Sequence, residues 1–134
     1  MRVVWAGGEP DRALNARLCV PGDVDATGTF DILELAELGR HARCAVTNDS
    51  GPMHVLAASG IPVYALFGPS DWRRNHALGQ AERVFACVDY DPRHAGQVCG
   101  ECLASVGADT VFARLQQDGV LAVGEGTGLQ TSKP

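Results

Sequence analysis

A chain of 134 residues is long enough for one domain with a proper core and too short for two. Its apolar content of 46% is ordinary for a globular domain, no apolar run reaches bilayer-spanning length, and no signal peptide opens it. The net charge of −5 argues against a general nucleic-acid binder or a protein drawn to anionic lipid. Five cysteines, an odd number without a secretory signal, fit reduced thiols, so the expected location is cytoplasmic.

Arg2 to Ala6 reads as a strand that begins almost at the first residue, followed by a turn over Gly7-Gly8-Glu9-Pro10-Asp11 and a short helix from Arg12 to Leu18. Cys19-Val20 is a candidate short strand, and Pro21 to Ala26 reads as a polar loop. Asp31 is placed to cap the next helix, with Glu34 three residues on in capping-box spacing. Ile32, Leu35, Ala36 and Leu38 supply its apolar stripe.

The stretch from Cys44 to Ser70 is the most informative. Cys44 to Thr47 is a short apolar, β-branched run, and Asn48-Asp49-Ser50-Gly51-Pro52 supplies a turn and a helix start together. Asp49 or Ser50 can cap that helix, Pro52 fits its first turn, and Gly60 stops it. Ile61 to Phe67 is nearly all apolar, the pattern of a parallel strand covered on both faces. A strand–helix–strand unit of this size joins parallel neighbours through a right-handed crossover. Asp49 and Gly68 are therefore expected at one edge of the sheet, where open α/β folds bind ligands.

The residue types at that edge suit a diphosphate carrying a sugar. Gly51 leaves room for a ligand against the backbone, and the first N–H groups of the helix favour an anion. His54 lies four residues after Ser50, on the same helical face and tilted back toward the helix start. Asp49 is a poor phosphate ligand but a good acceptor for sugar hydroxyls.

Beyond Ser70, Asp71 to His76 forms a polar loop at the same edge, where Arg73 or Arg74 can reach a phosphate and Trp72 can stack. Arg83 to Val88 reads as the last strand, and Asp109 as the cap of a helix from Thr110 to Gln117, stopped by Gly119. The domain is expected to span 1–119, and 120–134, with three glycines, to be a flexible tail. Cys99 and Cys102 form one CxxC pair, with Cys87 and His94 nearby. Structural zinc normally shows two paired ligand sets, so neither a metal nor any other cofactor is expected.

Asn48-Asp49-Ser50-Gly51-Pro52-Met53-His54, then Ala57-Ala58, then Ala65-Leu66-Phe67-Gly68-Pro69-Ser70, closely resemble the donor-site signature of glycosyltransferase family 9. That family contains the ADP-heptose:lipopolysaccharide heptosyltransferases. The resemblance implies an α/β fold: a Rossmann-like parallel sheet with helices on both faces, the C-terminal half of a GT-B fold. It implies donor nucleotide-sugar binding by Asp49, Ser50, Gly51 and His54, with Asp11 or Glu9 at the nucleotide ribose. Gly28, Thr29 and Phe30 would lie beside the base, although Phe30 is equally placed to staple the helix that follows it. Family members often carry proline where Trp72 stands, which weakens the carry-over to Arg73.

The resemblance runs from about Val3 to Gln117 and covers part of a family enzyme. It implies that the acceptor domain, with the catalytic base, and the first strand of the donor domain lie outside this sequence. No catalytic residue is therefore assigned. The expected partners are a nucleotide-sugar, ADP-heptose first, the acceptor domain or a chain that carries it, and a second copy through an exposed sheet edge. The chain reads as a gene fragment or truncated paralogue, inactive alone. A non-catalytic nucleotide-binding or scaffold module is the alternative, and another GT-B nucleotide-sugar enzyme a weaker one.

Overall fold

The computed structural model describes residues 1–86 and 103–122. The expected pair Cys99 and Cys102, with Cys87 and His94, lies outside them, as does most of the expected tail. In chain order the elements are β1 (Val4–Trp5), α1 (Arg12–Leu18), β2 (Val24–Asp25), α2 (Ile32–His41), β3 (Ala45–Asn48), α3 (Gly51–Ala58), β4 (Val63–Phe67), α4 (Trp72–Asn75), β5 (Val84–Ala86) and α5 (Ala108–Gln117).

As expected of a parallel α/β fold, all strand pairs among the described residues are parallel; they form two ladders, β1–β2, and β3–β4–β5 with β4 in the middle. Among the described residues β3, the strand leading to Asp49, is the outer strand of its ladder. The strand expected at Cys19-Val20 falls at Val24–Asp25, inside the expected loop. Two residues whose pairing rests on Val24 N–H donating to Val3 O (2.9 Å) and Ala26 N–H to Trp5 O (2.9 Å) leave almost no periodic signal.

β4 makes the core because its side chains serve both faces. Val63, Ala65 and Phe67 pack with Met53 and Leu56 of α3, together with Leu35 of α2. Tyr64 points the other way, onto Leu115 of α5 and Val120. Burial of a side chain the size of Phe67 or Met53 contributes about 1.5–3 kcal/mol, and both are completely buried. Val120 and Leu121, at the start of the expected tail, pack on this second face.

Helix ends follow local chemistry. The Asp31 carboxylate accepts from Leu33 and Glu34 N–H, both at 2.8 Å, while Glu34 accepts from Asp31 N–H, so the capping box forms. Within the α2 stripe, Leu35 enters the core, whereas Ile32 remains 65% exposed. Gly60 ends α3 with φ of 90°, a conformation only glycine adopts cheaply. At α5 the cap is Gly107, and Asp109 stands in the first turn, two residues past the cap, rather than capping.

Candidate functional site

The register of β3 on β4 builds the site. Asn48 pairs with Leu66, and Asp49 N–H donates to the Leu66 carbonyl at 3.2 Å, so Asp49 and Gly68 emerge at the same edge. The chain turns at Ser50, the N-cap residue, into the eight residues of α3. Neither Asp49 nor Ser50 caps this helix through its side chain. The Ser50 hydroxyl instead donates to Asn48 Oδ1 at 2.9 Å. Sequence reasoning did not single out Asn48, although its spacing of two from Ser50 is a familiar turn contact.

That arrangement leaves backbone donors at the helix start. Pro52 has none, and Met53 N–H already bonds Ser50 O at 3.1 Å. The N–H groups of Ser50 and Gly51 have no backbone partner among the described residues. Space is open there: a Cβ built on Gly51 would meet nothing within 4 Å. His54 is exposed on the first turn, and Asp49 and Ser50 are half-buried. The local positive end of α3 thus faces an open surface carrying an imidazole and a carboxylate, a combination suited to an anion joined to a hydroxylated group.

Arg73 sits in α4 at the same sheet edge, after the loop that follows β4. Asp71 caps this short helix by accepting from Arg73 N–H at 3.1 Å, and the Arg73 guanidinium lies 5.2 Å from the centre of the Trp72 ring. Trp72 itself packs against the core, which anchors the loop.

A second group of expected residues gathers where β1 and β2 end. Gly28 N–H donates to Gly7 O at 2.8 Å, tying the two turns together. Asp11 accepts from Gly8 N–H at 2.9 Å, so its carboxylate braces the turn after β1. Arg12, read from sequence only as a helix start, bonds Glu9 at 2.7 Å and the Thr27 carbonyl at 3.3 Å. Glu9 is held below the usual carboxylate range first by its hydrogen bond to Arg12. A Cβ on Gly28 would come within 3.1 Å of the Arg12 guanidinium, and φ there is 70°, so both space and backbone demand glycine. Thr29 and Phe30 are exposed beside it.

The structure therefore brings Asp49, Ser50, Gly51, His54 and Arg73 to one sheet edge, and Asp11, Gly28, Thr29 and Phe30 to the other pair of strands. Among the described residues no ladder joins the two sheets. No group of three or more His, Cys, Asp or Glu side chains among the described residues is arranged to hold a metal ion. No helix among them is long and apolar enough to cross a membrane.

Parallel strands joined by crossover helices, with an open helix start at the strand ends, define the class: a parallel α/β domain. The sequence model of glycosyltransferase family 9 (heptosyltransferase) matches residues 1–99, and the chain belongs to that family. It is 30% identical over 66 residues to lipooligosaccharide heptosyltransferase 2 of Haemophilus influenzae, a match covering 49% of this chain and 19% of that protein. A crystal structure of a family 9 glycosyl transferase from Veillonella parvula superposes with a TM-score of 0.73 at 26% identity, over 87% of this chain and 36% of the other. The chain thus spans about a fifth of the curated relative and about a third of the solved one.

Proposed function

We propose that this chain is the donor-binding part of a heptosyltransferase-type glycosyltransferase of lipopolysaccharide core synthesis, working in the cytoplasm on ADP-heptose. The observation that carries the reading is the helix start at Ser50-Gly51: two backbone N–H groups without backbone partners, facing open space beside His54 and Asp49. In this reading the amides of Ser50 and Gly51 take the donor diphosphate. His54 adds a hydrogen bond to it, and Asp49 accepts from a sugar hydroxyl. Asp11, Gly28, Thr29 and Phe30 receive the nucleoside, and Arg73 approaches a phosphate.

The same groups give the chemistry its direction. Transfer with inversion at the sugar carbon leaves charge on the departing diphosphate. A preorganised helix start stabilises that charge as it develops, without a metal. The base that activates the acceptor hydroxyl belongs, in this proposal, to an acceptor domain outside this sequence. The isolated chain then binds the donor and transfers nothing.

Amide shift mapping tests the assignment. Addition of ADP should move the Ser50, Gly51 and His54 signals first, adenosine should leave them in place, and inorganic pyrophosphate should move Ser50 and Gly51. Shifts confined to α5, or none at Ser50 and Gly51, would remove the diphosphate from this helix.

A further inference from the structure

α4 is a single turn, Trp72-Arg73-Arg74-Asn75, too short to persist by its own backbone bonds. Both of its flanks hold it. The Asp71 carboxylate accepts from Arg73 N–H at 3.1 Å, and the Asp71 carbonyl accepts from Arg74 and Asn75 N–H at 3.2 and 3.1 Å. At the other end the Trp72 carbonyl accepts twice from His76, from its backbone N–H at 3.0 Å and from its ring Nδ1 at 2.9 Å. A carbonyl only accepts, so Nδ1 carries the proton in this contact. The backbone at Arg73 is therefore clamped between Asp71 and His76.

Trp72 seats this turn on the sheet. It is half-buried against the cluster that contains Met53 and Leu56 of α3 and Val63, Ala65 and Phe67 of β4. Ala77, five residues on, is buried in the same cluster. The turn thus lies on the face of the sheet that α3 covers, after the strand end from which the chain also enters α3. Arg73 is exposed, with its guanidinium carbon 5.2 Å from the centre of the Trp72 ring, inside the range of a cation–π contact. The ring directs the side chain by attraction and adds no negative charge of its own.

We infer that Trp72 is a positioning residue for the donor phosphates. Its ring holds Arg73 in the arrangement from which the guanidinium reaches an anion at the start of α3. Trp72 thereby sets part of the affinity for a diphosphate without touching it. The inference rests on the diphosphate reading of the helix start and extends it to a side chain outside the family signature. Proline, which often stands at this position in the family, offers no aromatic face.

A double-mutant cycle on the full chain tests it, with ADP titrated calorimetrically at low and at high sodium chloride. At low salt Arg73→Gln should weaken ADP binding by about five- to tenfold. Trp72→Leu should weaken it by about two- to fivefold, and Trp72→Phe, which keeps a π face, should recover most of that loss. Adding Trp72→Leu to Arg73→Gln should cost no further affinity, because the ring acts only through the guanidinium. High salt should shrink both single losses. Urea midpoints show which variants are folded, and Trp72→Met, which fills the site without a ring, replaces the leucine variant should that one unfold. An equal loss from Trp72→Leu with and without the Arg73 side chain would overturn the inference. So would losses indifferent to salt, or unchanged affinity in the ringless variants. Amide shifts keep the two readings apart. If ADP moves Ser50 and Gly51 while the Trp72 substitutions leave affinity unchanged, this inference alone falls. If those signals stay still in the unmodified chain, the diphosphate reading falls and takes this inference with it.

Discussion

Asp49 N–H donates to the Leu66 carbonyl at 3.2 Å, one bond beyond the last paired residue of β3. This contact ends the ladder and sets the turn into α3 directly beside the loop that follows β4. The proposed donor site depends on that juxtaposition, because it brings the helix start, Asp49 and Arg73 to one edge.

Gly51 separates the needs of the fold from those of the ligand. Its φ lies outside the left-handed region, and a Cβ would meet nothing, so Gly51→Val should change stability by less than about 1 kcal/mol. The same side chain would stand where a phosphate must approach Ser50 and Gly51 N–H. Affinity for ADP should fall at least about tenfold, equivalent to 1.4 kcal/mol. Urea denaturation and calorimetry on the same sample check both halves.

Gly39 is the reverse case. A Cβ there would collide with Ser59 Oγ and come within 3.3 Å of Leu56, because α2 and α3 cross closely at this point. Gly39→Ala should cost about 1–3 kcal/mol through overpacking. Ser59→Ala in the same chain should recover part of the loss, since it removes the nearest atom. Urea midpoints of the two single variants and the double variant give the coupling.

Stability should fall at both pH extremes through one contact. Tyr64 OH donates to Asp118 at 2.7 Å. That bond first, then Arg114, holds the Asp118 carboxyl below its ordinary value of 3.8. Folding therefore gains from the ionised form above pH 3.8, and the gain is lost as pH falls through the lower folded value. Burial first, then Asp118, raises the Tyr64 hydroxyl above its ordinary 10.0, so its contribution is complete below pH 10.0 and lost as pH rises through the higher folded value. Urea midpoints from pH 2 to 11 should decline at both ends. Tyr64→Phe should flatten the alkaline decline and reduce the acid one.

The sequence disclosed the elements whose signals are local. The Asp31–Glu34 capping box, the Gly60 stop and the apolar run of β4 each depend on a few neighbouring residues, and each is present. β2 escaped notice because two residues carry no period and their pairing is set by β1 across 20 positions. Splitting of the strands into two sheets was also hidden, since the order of strands is a property of tertiary contacts. At the site, Asp49, Ser50, Gly51 and His54 could be placed together because they are contiguous on one turn. The bracing of Asp11 by Gly8 and the link from Arg12 to Thr27 could not, since both depend on where the loops settle.

The most direct test is a calorimetric titration of the full chain with ADP-heptose, repeated with His54→Ala and Asp49→Ala. The account predicts weak binding, toward the millimolar range, because the proposed site offers the diphosphate few charge-assisted bonds, each worth roughly 1.5–3 kcal/mol. Each substitution should weaken binding further by about tenfold without unfolding the domain, since neither residue belongs to its core clusters. No sugar transfer should accompany binding. Tight binding indifferent to both substitutions, or measurable transfer by the lone chain, would contradict the account.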